Sequence, residues 1–105
     1  KRFKPELDQV ITYKHIKINT AKSIIETENG EIELSKNELK ILTFLLSKRG
    51  TIVSRYDLMD YLWNSEVFVD DNTLSVNITR LRKKLEDIGL DNVILTRRGQ
   101  GYIIL

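Results

Sequence analysis

The 105 residues contain no cysteine and a single histidine, His15. Without thiols there are no disulfides and no thiolate chemistry, a usage that fits a reducing cytoplasm. One imidazole leaves a zinc site short of ligands, so neither a metal nor another cofactor is expected. An enzyme is not expected either, because no histidine has a nucleophile to pair with and no acids share one face at metal-ligand spacing. Long apolar runs are missing as well. None approaches the roughly 18 residues that a membrane span requires, and no membrane partner is expected. The chain also lacks a large excess of one charge, since 17 Lys and Arg face 15 Asp and Glu for a net charge of +2.

The distribution of charge says more than its sum. Residues 1–70 hold 11 Lys and Arg against 11 Asp and Glu, whereas residues 71–105 hold 6 against 4. All the excess therefore lies in the last third, and local charge is what draws a protein to phosphate. With 41% apolar and 30% charged residues, the composition is that of a globular protein of one domain. Residues 1–9, KRFKPELDQ, carry charge without a following apolar stretch and read as the remnant of a linker; the domain is expected over residues 10–105.

From Val10 to Leu34 apolar and polar residues alternate, with an Asn-Gly turn signal at Glu28-Asn29-Gly30-Glu31, which predicts a small antiparallel sheet. The acids Glu26, Glu28, Glu31 and Glu33 are expected on its solvent face. Ser35-Lys36-Asn37-Glu38 matches a capping box and starts a helix that Lys48-Arg49-Gly50 ends. Thr51 to Val53 is a short extended link, and Ser54 with Asp57 caps a second helix whose apolar side is Leu58, Met59, Leu62 and Trp63. Asn64 to Asp70 is a loop. Beyond the next helix, Asn92 to Arg97 and Tyr102 to Leu105 read as two strands around the turn Arg98-Gly99-Gln100-Gly101.

Asp71 to Leu85 is the most informative stretch. Leu74, Ile78, Leu81 and Leu85 form a narrow stripe when each residue advances a helix by about 100°. Opposite lie Asn72, Thr73, Val76, Thr79, Arg80, Lys83 and Lys84, flanked by Arg82 and Asn77, and Thr73 to Leu85 contains four cations and no acid. Ordinary solvated helices mix their charges. Two capped helices on a short link, a third with a basic face and a closing hairpin make a helix-turn-helix with a wing, in which a helix of roughly 10–12 Å diameter fits a DNA major groove. On charge pattern alone, a surface helix with merely solvated cations remains the alternative.

Trp63, the run from Val69 to Leu85 and the closing Thr96-Arg97-Arg98-Gly99-Gln100-Gly101-Tyr102 resemble the C-terminal effector domain of OmpR/PhoB-type bacterial response regulators, from about Val10 onward. The resemblance implies an α+β fold: an N-terminal four-stranded antiparallel sheet, three helices and a C-terminal β-hairpin wing. It implies sequence-specific binding of double-stranded DNA, as the output domain of a two-component transcriptional regulator. Arg80 would be the leading base reader, with Val76, Asn77 and Thr73 beside it; Arg bonds guanine bidentately and an exposed Val can touch a thymine methyl. Arg82, Lys83 and Trp63 would meet the DNA backbone, as would Thr96 and Tyr102. Arg98 would enter the minor groove, with Arg97 adding charge there. Asn72 and Thr79 stand where the family often has a basic residue, so their backbone contacts would be neutral hydrogen bonds. The alternatives are a tolerated exposed aliphatic for Val76 and core packing for Trp63.

The family's mechanism implies further partners: tandem half-sites occupied by a dimer formed through a receiver domain outside these residues, a sensor histidine kinase acting on that receiver, and RNA polymerase facing the loop at Glu66, Val67 and Phe68. A plain connector is the other reading of that loop. The stretches Asp70-Asp71-Asn72-Thr73 and Asp87-Ile88-Gly89-Leu90 resemble Gram-positive regulators that answer antimicrobial peptides. A winged-helix module that binds another protein is the alternative function.

Overall fold

Alternating apolar and polar residues near the start of the chain produce four short strands in the computed structural model, which describes residues 10–64 and 69–105. β1 (Val10–Tyr13), β2 (Ile16–Asn19), β3 (Ile24–Thr27) and β4 (Gly30–Glu33) form an antiparallel sheet in sequence order. Its register pairs Ile11 with Ile18, Ile18 with Ile25, and Ile25 with Ile32, so one row of isoleucines lies on the inner face. Thr12, Lys17, Glu26 and Glu31 make the corresponding row on the outer face. A slip of one residue would exchange the two rows, and burying the first row is what fixes the register.

Each helix begins where a side chain satisfies its free amides. At α1 (Lys36–Ser47) the Glu38 amide donates to Ser35 Oγ at 3.1 Å, and the Ser35 amide donates back to Glu38 Oε1 at 2.8 Å. At α2 (Arg55–Asn64) the Asp57 amide donates to Ser54 Oγ at 2.9 Å. At α3 (Asp71–Asp87) the Thr73 amide donates to Asp70 Oδ1 at 2.8 Å. Such caps contribute about 1 kcal/mol each.

The core lies where the three helices meet the sheet. Leu74, Ile78, Leu81 and Leu85 of α3 are no more than 2% exposed and pack with Ile41, Leu42 and Leu45 of α1 and Leu58 and Leu62 of α2. Each such side chain contributes about 1.5–3 kcal/mol by leaving water. The seam thereby decides which side of α3 faces outward.

β5 (Ile94–Arg97) and β6 (Gly101–Ile104) form the closing antiparallel hairpin. Val53, in the link between α1 and α2, joins it as an isolated bridge: its amide donates to the Tyr102 carbonyl at 2.8 Å, and its carbonyl accepts from the Tyr102 amide at 2.9 Å. Gly101 makes this approach possible. Its φ is +146°, and a Cβ there would lie 2.0 Å from the Val53 carbonyl oxygen. The first wing strand starts at Ile94 instead of Asn92, because Asn92 takes a φ of 59° in the preceding turn, which a strand cannot continue. Residues 1–9 and the loop residues Glu66, Val67 and Phe68 lie outside the described residues. No helix among the described residues is long and apolar enough to cross a membrane.

Candidate nucleic-acid interface

With the seam of α3 buried, Thr73, Val76, Arg80 and Lys83 fall into one exposed row, and Asn72 and Thr79 are exposed beside it. Val76 is 45% exposed and shares a shallow hollow with Ser75, Thr79 and Arg80. Among the described residues Arg80 has neither a hydrogen-bond acceptor nor an ion-pair partner, and the same holds for Arg97 and Arg98 in the wing. Arg80 and Arg98 are exposed and Arg97 is half-buried. Lys83 has only an exposed partner, Asp87, at 3.5 Å. The Thr73 amide and then its hydroxyl hold the Asp70 carboxyl below the usual carboxylate range, so the helix starts with a fixed negative charge at its positive end.

The flanks of the same helix differ from expectation. Asn77 is 6% exposed and its Nδ2 donates to the Thr73 carbonyl at 2.9 Å. It sits at the edge of the buried seam and is not presented for base contact. Lys84 likewise leaves the basic face: its Nζ donates to Glu38 Oε1 at 2.7 Å and to the Glu33 carbonyl at 2.8 Å. Glu38 is 2% exposed, and burial pushes its carboxyl up, but the Lys84 ammonium and the Ser35 amide outweigh that and lower its pKa overall. Arg82 turns to the hairpin, where Nε donates to the Ile94 carbonyl at 3.0 Å and the guanidinium also donates to Thr96 Oγ1. Tyr102, expected on the DNA backbone, is 5% exposed and its hydroxyl accepts from Arg55. Thr96 remains exposed although its hydroxyl accepts from Arg82.

Trp63 is 63% exposed, which removes the core reading of its indole and takes it off the apolar side of α2. Tyr56, Asp57, Asp60 and Asn64 are exposed on the same helix, giving it an outward face of aromatic, acidic and amide groups. The residue that sequence reasoning missed is Arg55. Its guanidinium donates to Asp71 Oδ1 at 2.9 Å, the Asp71 carbonyl at 3.0 Å, Ser75 Oγ at 2.9 Å and the Tyr102 hydroxyl. Nothing in its spacing pointed there, because its partners lie 16, 20 and 47 residues away.

An outward row of alkyl, hydroxyl and guanidinium groups on a helix, with arginines unpaired among the described residues in a neighbouring hairpin, is chemically suited to base edges and phosphates. Comparison with known proteins agrees. The sequence profile of the family described as "Transcriptional regulatory protein, C terminal" matches residues 27–104. The response regulator protein GraR of Staphylococcus aureus (strain MRSA252) is 44% identical over 101 residues, which are 96% of this chain and 45% of GraR. The chain thus spans about half the length of the curated relatives it matches. Among solved structures, the C-terminal domain of the nisin resistance regulator NsrR, a lantibiotic response regulator, superposes with a TM-score of 0.80 at 40% identity, covering 89% of this chain and 94% of that one. The DNA-binding domain of the response regulator AdeR, in complex with an intercistronic region, gives 0.74 at 27% identity, covering 90% and 97%. The fold, the exposed basic row and these similarities together place the chain in the family of transcriptional regulatory protein C-terminal domains, the OmpR/PhoB-type winged helix-turn-helix output domains that bind DNA.

Proposed function

We propose that this chain reads double-stranded DNA by sequence, with α3 in the major groove and the β5–β6 wing in the adjacent minor groove. The observation that carries the reading is the open state of Arg80 and Arg98 beside arginines that are internally occupied. Arg80 pairs with guanine O6 and N7, Val76 meets a thymine methyl and Thr73 bonds a base edge; one bidentate pair contributes about 1–3 kcal/mol of discrimination. Lys83, Asn72, Thr79, Trp63 and Thr96 meet phosphates, and Arg98 with Arg97 enters the minor groove, where a narrow AT-rich stretch concentrates negative potential.

The chain is the output half of a two-component response regulator in this reading, and residues 10–105 are the DNA-binding domain. A sensor histidine kinase phosphorylates a receiver domain that dimerises, placing two such domains on tandem half-sites. In the same reading this chain works in the cytoplasm and is itself not an enzyme. The likeness to the lantibiotic regulator NsrR supports a place among regulators that answer antimicrobial peptides. The acidic and aromatic outward face of α2 favours a protein contact beside the DNA site, for which RNA polymerase is the family's partner. Selection from random duplex DNA with this chain tests the reading. Enrichment of a shared half-site, bound with strong salt dependence, is expected; recovery of unrelated sequences would contradict it.

A further inference from the structure

Arg55 and Arg82 reach the wing from two different elements and close on the same place. Thr96 and Tyr102 face each other directly across β5 and β6, one residue pair from the turn that carries Arg98. Arg82, in the middle of α3, donates to Thr96 Oγ1. Arg55, the first residue of α2, donates to the Tyr102 hydroxyl while its other donors hold Asp71 and Ser75 in the first turns of α3. Its guanidinium also lies over the Tyr102 ring, 5.7 Å from the centroid. A planar, rigid fork with several donors fixes relative position better than a flexible ammonium can. The backbone bridge to Val53 ties β6 to the link between α1 and α2, and the two guanidinium groups add ties from both wing strands to α3 at points well separated along that helix.

We propose that Arg55, acting through Tyr102, is a positioning residue for DNA recognition: it sets the attitude of the wing against the recognition helix, so that major- and minor-groove contacts are made together. This rests on the reading above, in which α3 and the wing both touch DNA. The side chain of Arg55 is 37% exposed and its Asp71 partner 69% exposed, so the ion pair by itself contributes little stability. The value of the arrangement lies in geometry. Its consequence is that the contribution of Arg98 depends on a hydroxyl that need not touch DNA.

The test is a double-mutant cycle with the 105-residue chain, using the duplex recovered by selection and a scrambled duplex as probes. Arg98→Ala is measured in the parent and in the Tyr102→Phe background by fluorescence anisotropy, with thermal melts of each protein. We expect Arg98→Ala to weaken binding of the selected duplex about tenfold in the parent and only about twofold beside Tyr102→Phe, a coupling within the range of contacting networks. Arg55→Lys, which keeps the charge near Asp71 but loses the fork, provides the same cycle should Tyr102→Phe fail to fold. A purely structural Arg55 would lower the melting temperature and leave the Arg98→Ala ratio unchanged. Equal Arg98→Ala losses in parent and variant backgrounds overturn the proposal. A parent that does not prefer the selected duplex, or that is indifferent to Arg98→Ala, overturns the underlying reading of the interface and the positioning role with it.

Discussion

The outward row of α3 and its two flanks are built from the same residue types but do opposite things. In the row, Arg80 is unpaired among the described residues and Lys83 has only a long, exposed ion pair. On one flank Lys84 closes on buried Glu38, and on the other Arg82 closes on the wing. The neighbouring elements separate these fates: Lys84, about 40° around the helix from Arg80, meets Glu38 of α1, and Arg82, about 160° away, meets the wing. A basic helix is therefore not uniformly available to a polyanion. Flank cations hold the parts in place, and row cations are left to act.

The largest effect is expected where the hairpin backbone approaches Val53 most closely. Gly101→Ala forces a Cβ against the Val53 carbonyl in a backbone region that alanine avoids, and should destabilise the fold by about 3 kcal/mol or more, read by chemical or thermal denaturation. Lys84→Met tests a flank cation: it leaves Glu38 buried with its charge uncompensated and should cost about 2 kcal/mol, while DNA affinity of the folded fraction changes little. The same pair has a pH signature. Because the folded pKa of Glu38 is lowered, its contribution is fully present above the unfolded carboxyl value of about 4.3 and is lost as pH falls through the lower folded value. Acid titrations of stability should therefore show a steeper loss below about pH 4 in the parent than in Glu38→Gln. Lys83→Ala, in the row, should change stability by less than about 0.5 kcal/mol and reduce the slope of log affinity against log salt by about 0.9.

Much of the frame was legible because its causes are local. The Ser35–Glu38 box and the Leu74, Ile78, Leu81, Leu85 stripe depend on neighbours three or four residues away, and each appears where the spacing placed it. The strands of the first sheet follow from alternation in the same way. The fates of the flank residues were not legible, since they depend on contacts far along the chain: Lys84 finds Glu38 across 46 residues and Arg55 finds Tyr102 across 47. Asn77 adjoins the apolar stripe, so periodicity alone could assign it to either side, and its bond to the Thr73 carbonyl settles it inward. Tyr102 carries both an apolar ring and a hydroxyl, and the Arg55 contact explains why it can be buried without leaving that hydroxyl unsatisfied.

The division between row and flank is tested most directly by Arg80→Ala, measured as the ratio of affinities for the selected and scrambled duplexes at fixed salt. If the outward row reads bases, the ratio should collapse by about 1–3 kcal/mol, with binding to the scrambled duplex and the melting temperature nearly unchanged. Equal losses on both duplexes would mean that Arg80 supplies charge alone, and would contradict the account.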